Sequence, residues 1–203
     1  MTSAQRLARI LLGVAAVAAL GVGLVPGGSP AVAATGPTAT ASGHRHPSGA
    51  GPTAGQIATM RAATAAFRNL ANAEDAGYGL LHDTAGITCI DMPGVGGMGV
   101  HWVKGALVGD PALDLRHPES LVYAPDRDGT LRLAALEFIV DKAAWDAHHA
   151  RRPQLFRGAP FDLTTAPNRF GLDPFYSQHV WIWKPNPAGI VAMWNPRVTC
   201  PPA

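Results

Sequence analysis

The chain reads as an α+β domain in which a long N-terminal helix packs on an antiparallel sheet or partial β-barrel of about five strands, held by one disulfide. Three observations predict it. An alanine-rich stretch after residue 53 carries apolar residues at helical spacing, several short runs of β-formers follow between Pro, Gly and Asp turns, and the sequence holds two cysteines, Cys89 and Cys200.

The helix has a start, a stripe and a stop. Thr53-Ala-Gly-Gln56 has the spacing of a capping box. Ile57, Met60, Thr64, Phe67 and Leu70 then recur at intervals of three and four, which puts them on one face. Gly77 supplies the C-terminal stop, so a single helix of about 20 residues is expected.

Strand signals begin beyond Cys89. Residues 98–103 and 120–124 are the first two candidates. Pro125-Asp126-Arg127-Asp128-Gly129 reads as a hairpin turn into a long strand over 130–140. Asp141 can cap a short helix over 142–150, which must stop before Pro153. After a proline-punctuated loop to Tyr176, residues 178–184 form the next strand. Pro185-Asn186-Pro187-Ala188-Gly189 then turns the chain, and 190–194 return as its partner.

The N-terminus sets the compartment. Arg6 and Arg9 precede an apolar run over 10–25, a helix-breaking segment over 26–30 and the small-x-small sequence Ala31-Val32-Ala33. That order is a secretory signal peptide, 1–34, with cleavage expected after Ala33 or Ala34 and an uncleaved anchor as the alternative. No membrane span is expected after cleavage. Residues 35–55 are Gly, Pro, Ser, Thr and Ala with hardly a large side chain, so a linker is expected before a single domain over 56–203. In an oxidising compartment two cysteines pair, and Cys89–Cys200 would close a loop of about 110 residues.

Of the 16 basic residues, Arg6 and Arg9 belong to the leader, which leaves 14 against 14 acidic ones. A neutral mature chain has no electrostatic footprint for nucleic acid.

Three residues put a metal-capable group in the middle of an apolar strand: His101 in Gly-Val-His-Trp-Val, Glu137 in Leu-Glu-Phe-Ile-Val, and His179 in Gln-His-Val-Trp-Ile-Trp. A carboxylate among such neighbours needs a partner or a metal. If the three strands are neighbours, two imidazoles and one carboxylate make a site for one divalent ion, Zn, Cu, Mn or Fe, with positions open for water. Glu137 is then ligand or general base, the candidate catalytic residue of a metal-activated water. The alternative is a hydrogen-bonded core acid. A second signal is the group Trp181, Trp183 and Trp194, whose rings suit a small ligand or cell-wall sugar in a non-enzymatic binding module, or simply the core.

Gly94-Val-Gly96-Gly-Met-Gly99 matches the dinucleotide-binding fingerprint in letters, but the β-forming run Val-His-Trp-Val follows where a helix must begin. The glycines fit a flexible loop or a bulged beginning of a strand. No Gly-x-Ser-x-Gly is present for nucleophilic catalysis.

The segments Gly-Met-Gly-Val-His101-Trp-Val and Leu-Glu137-Phe-Ile-Val, with the terminal run from His179 through Trp194-Asn-Pro-Arg-Val-Thr-Cys200, resemble a family of uncharacterised exported bacterial proteins. The resemblance spans about residues 57–200. It implies an exported domain and carries no activity with it.

Overall fold

The computed structural model describes residues 50–201. The expected leader and most of the expected linker lie outside them. Within the linker's last residues, Gly51 already pairs with Arg157, and Thr53 caps the first helix. The capping box forms as its spacing demands: the Thr53 hydroxyl accepts from Gln56 N at 3.2 Å, and Thr53 N donates to Gln56 Oε1 at 2.9 Å.

The long helix does not form. The chain is broken into α1 (Ala54–Thr64), a 3-10 turn (Ala65–Arg68) and α2 (Leu70–Asp75). Two polar side chains break it. The buried Thr64 hydroxyl donates back to the Met60 carbonyl at 2.7 Å, a bond that bends helices. Asn69 leaves helical geometry and caps α2 by accepting from Ala71 N. Helical periodicity persists through both residues, so the hydrophobic stripe alone does not reveal the break.

The sheet is antiparallel and has seven strands rather than about five. They are β1 (Gly79–Leu80), β2 (Cys89–Met92), β3 (Gly96–Val103), β4 (Ser120–Pro125), β5 (Leu131–Asp141), β6 (Asp162–Thr164) and β7 (Phe175–Val180). Short helices α3 (Gly105–Val108) and α4 (Lys142–Asp146) follow β3 and β5. The order is β1-β3-β4-β5-β7-β6, and β2 also pairs with β3. The additional strands, β1, β2 and β6, have two to four residues each, too few for a period of two to declare itself.

Register assigns the faces. Trp102, Leu121, Leu136 and Val180 lie opposite one another across β3, β4, β5 and β7, and all belong to the main core with Met60 and Ala73 of the helical segment. One residue along, Val103, Ser120, Glu137 and His179 form the adjacent row, which points to the other face. His101, opposite Val122, shares that second face.

The glycine run begins β3 and lies against the C-terminal segment. A Cβ on Gly96 would sit 2.4 Å from the Asn195 carbonyl oxygen, and one on Gly97 2.6 Å from Val198 Cγ1. Gly97 and Asn195 exchange backbone bonds at 3.1 and 2.9 Å. The register shift between Ile90 and Asp91 against β3 marks a bulge at this end of the strand.

The expected hairpin of 178–184 with 190–194 is not formed. β7 ends at Val180, and the Ala134 carbonyl accepts from both Trp183 N and Lys184 N, which steps the chain off the ladder. Pro185 and Pro187 offer no N–H to a ladder. One remnant survives, Trp181 N donating to Ile190 O at 2.8 Å. The segment instead wraps over the second face, where Val198 joins Val122, Ala135 and Trp181 in a small apolar cluster. Cys89–Cys200 ties its end to β2 across a separation of 111 residues. Such a bond is at home in an oxidising compartment. Among the described residues no helix is long and apolar enough to cross a membrane.

Candidate metal centre

His101, Glu137 and His179 converge. Glu137 on β5 and His179 on β7 are direct cross-strand partners, so their side chains rise side by side from one face. His101 comes from β3, two strands away from β5, and reaches over β4 because the residue opposite Glu137 there is the small Ser120. Their relative exposures are 3, 5 and 2 %. His101 Nε2 lies 3.2 Å from His179 Nε2 and 3.5 Å from Glu137 Oε2, and His179 Nδ1 lies 3.5 Å from Glu137 Oε1. One donor atom from each falls within 4.8 Å of the others, and among the described residues this is the one such cluster of three.

Two of these separations suit a metal, and the third, from His179 to the carboxylate, is made by its other ring nitrogen, Nδ1. Tetrahedral bonds of about 2.0 to 2.1 Å place neighbouring donors about 3.3 Å apart, against 3.2 Å between the imidazoles and 3.5 Å from His101 to the carboxylate. Electrostatics point the same way. Burial lowers His179 to about 3 and His101 to about 4, the Glu137 carboxylate pulling the latter back up and Arg169 pushing it down. Both imidazoles are therefore neutral, with lone pairs to give. Burial raises Glu137, opposed by His101 and by a hydrogen bond with Ser177. Burial thus favours the neutral carboxyl, and a bound cation would favour the ionised one.

A cavity of about 390 Å³ opens above the cluster, with His101, Glu137 and Ser177 on its lining. Its walls are mostly apolar, from Leu81 and Ile90 through Met98, Val108 and Ile139 to Phe175 and Trp194. Exposed Asp91, Pro93, Arg169 and Asp173 stand at the lining's outer edge. The loop carrying Arg169 is fastened to the β1–β2 connection: its guanidinium holds Asp83 at 2.8 Å, and its carbonyl accepts from Thr84 N at 2.9 Å.

The three tryptophans do not form one group. Trp181 is buried beneath the site, its ring stacked on His179 at 6.0 Å and its Nε1 donating to the Ala192 carbonyl, so it orients the imidazole from behind. Trp183 lies on the helical side of the sheet, donates to Thr64 Oγ1 at 3.2 Å and carries the Arg61 and Arg68 guanidiniums over its ring. Trp194 alone of the three lines the cavity.

Sequence reasoning missed Ser177 and Glu119. Ser177 precedes His179 by two residues, so strand alternation could have placed it on the same face. Glu119 gave no such signal, standing between Pro118 and the start of β4. It is 1 % exposed, and its Oε2 accepts from Ile139 N at 3.0 Å. The last β4–β5 pair is Ser120 with Glu137, so that N–H lies beyond the ladder and the side chain takes the place of the missing strand.

Comparison with protein-family models, with curated proteins and with solved structures finds no match.

Proposed function

We propose that this is an exported protein whose cavity is built around one divalent metal ion held by His101, Glu137 and His179, and that its activity is exercised on a small molecule bound at the ion's open positions. The observation that carries the reading is the convergence of three buried donors, two of them neutral imidazoles, on the floor of a cavity that His101 and Glu137 also line. Three protein ligands leave coordination positions toward that space, the arrangement of catalytic rather than structural sites. A metal there would act as a Lewis acid and lower the pKa of bound water. Ser177 bonds to Glu137 and fixes the carboxylate, while Trp181 fixes the His179 ring. Export is supported by the leader-like N-terminal sequence together with the Cys89–Cys200 bond.

The test is elemental analysis after reconstitution with zinc, copper, manganese or iron and extensive dialysis. One equivalent is expected in the wild type, and His101→Ala, His179→Ala and Glu137→Gln should each lose most of it. The linker sequence holds a second pair of metal-capable histidines in His44-Arg45-His46, and a His44→Ala/His46→Ala variant should keep the metal. Metal well below one equivalent in the wild type, or metal lost only from the His44/His46 variant, would sink the reading.

A further inference from the structure

The cavity's floor and walls differ in chemistry, and together they describe the two ends of one ligand. Three of the polar side chains on the walls, Asn168, Asp141 and Arg169, are already committed. Asn168 accepts from Phe170 N and Leu172 N and donates to Thr165 and Leu172 carbonyls. Asp141 caps α4 by accepting from Ala144 N, and Arg169 holds Asp83. Unspent polar capacity lies at the floor, where His101 Nδ1 is buried without a partner and Glu137 and Ser177 face the same space. Everything between floor and rim is predominantly aliphatic, thioether or aromatic.

We propose that the ligand is an amphiphile with one oxygen-donor, metal-binding head and an apolar body of roughly eight to ten carbons, bound head first. The inference rests on the metal centre proposed above. At about 30 Å³ per water-sized group, the cavity of about 390 Å³ takes on the order of a dozen heavy atoms. Orientation follows from desolvation. An apolar tail pressed on the imidazoles, carboxyl and metal would strip them of water and give nothing back, whereas a coordinating head replaces that water bond for bond. The walls reward each methylene and, being predominantly apolar, offer few partners to a hydroxylated body, so a sugar ring fits them poorly.

The test uses straight-chain alkyl hydroxamates of 2, 6, 10 and 16 carbons, and decan-1-ol as a weak-headed control, titrated calorimetrically into the zinc-loaded full chain. Affinity should rise about fourfold per methylene until the cavity is filled, so the 10-carbon compound should exceed the 2-carbon one by more than a hundredfold, with little further gain at 16. Decan-1-ol should bind far more weakly than the 10-carbon hydroxamate, and Glu137→Gln should erase that difference. Leu172→Trp, at a wall residue of the cavity that is not one of the three metal-binding residues, should shorten the best chain while zinc content stays at the wild-type value. Equal affinity for 2 and 10 carbons in zinc-loaded protein would overturn the ligand class and leave the metal centre standing. Equal binding of decan-1-ol and the 10-carbon hydroxamate to that protein would overturn the head-first orientation. Failure to load zinc or another metal, measured beforehand by elemental analysis, would remove the premise and the proposal with it.

Discussion

Replacing Glu119 with glutamine should abolish part of the protein's pH dependence of stability without disturbing its structure. Burial pushes the Glu119 carboxyl up to about 8 from an ordinary 4.5, and the neighbouring Glu137 charge adds to the effect. Between those two values the unfolded chain has released a proton that the folded chain keeps. Stability is therefore fully present below about pH 4.5, falls as pH rises, and levels off above about 8. At about 1.4 kcal/mol per pH unit the window spans a ceiling of about 5 kcal/mol, and structural relaxation should reduce the observed loss to a few kcal/mol. Glutamine keeps an oxygen for the Ile139 N–H and cannot ionise. Urea unfolding of metal-free protein at pH 5, 7 and 9 should show the two proteins within about 1 kcal/mol at pH 5, with Glu119→Gln the more stable by a few kcal/mol at pH 9. Because Glu137 is raised in the same direction, the informative quantity is the difference between variant and wild type. Parallel pH profiles would refute the reasoning, since the carboxyl would then have to be ionised and solvated in the fold.

Cys200→Ser should lower stability by up to about 4 to 5 kcal/mol on the chain-entropy model, read by denaturant midpoint, because the bond closes 111 residues. Gly99→Ala should cost more than about 3 kcal/mol, whereas Gly129→Ala should cost about 1 to 2. Both have positive φ, but a Cβ at Gly99 would meet the Tyr123 carbonyl oxygen at 2.5 Å while one at Gly129 meets nothing within 4 Å. Thermal melts of the pair decide it, and equal losses would refute the close-approach argument. Trp183→Ala should destabilise the fold by about 3 kcal/mol and leave metal and cavity ligands unaffected, whereas Trp194→Ala should alter cavity binding more than stability, as calorimetry on both variants will show. Any metal lost as the dialysis pH falls from 7 to 5.5 should follow proton competition at the Glu137 carboxyl, which burial raises, and not protonation of the imidazoles, which burial keeps neutral down to about pH 4. Imidazole ring resonances of His101 or His179 that titrate between pH 7 and pH 5.5 in metal-free protein would refute this.

Some elements were written plainly in local chemistry. The Thr53–Gln56 capping box, the Asp141 cap and the turn in which Asp126 N donates to the Thr130 carbonyl each depend on residues within a few positions of one another. β4 and β5 were legible because their apolar runs are long and bounded by that turn. The alternation that puts Glu137 among Leu136, Phe138 and Ile139 marks it as an anomaly from residue type alone, since a carboxylate in that company requires compensation. The helix break was illegible for the opposite reason. Thr64 and Asn69 fall where helical spacing continues, and what bends the chain there is a hydroxyl turned inward beneath Trp183, 119 residues away.

Residue type and alternation are local properties, and they suffice to place two histidines and a glutamate in apolar strands and to supply two cysteines that can pair. Only the tertiary structure decided that the three polar groups meet. That outcome needs Glu137 and His179 in direct register, β4 inserted between β3 and β5, and the small Ser120 at the position over which His101 reaches. It likewise decided which tryptophan faces the cavity, since the chain leaves the ladder after Val180 and sends Trp181, Trp183 and Trp194 to three different places. Register and crossover are set by the sum of many weak pairings across the whole sheet, and no short stretch of sequence contains that sum.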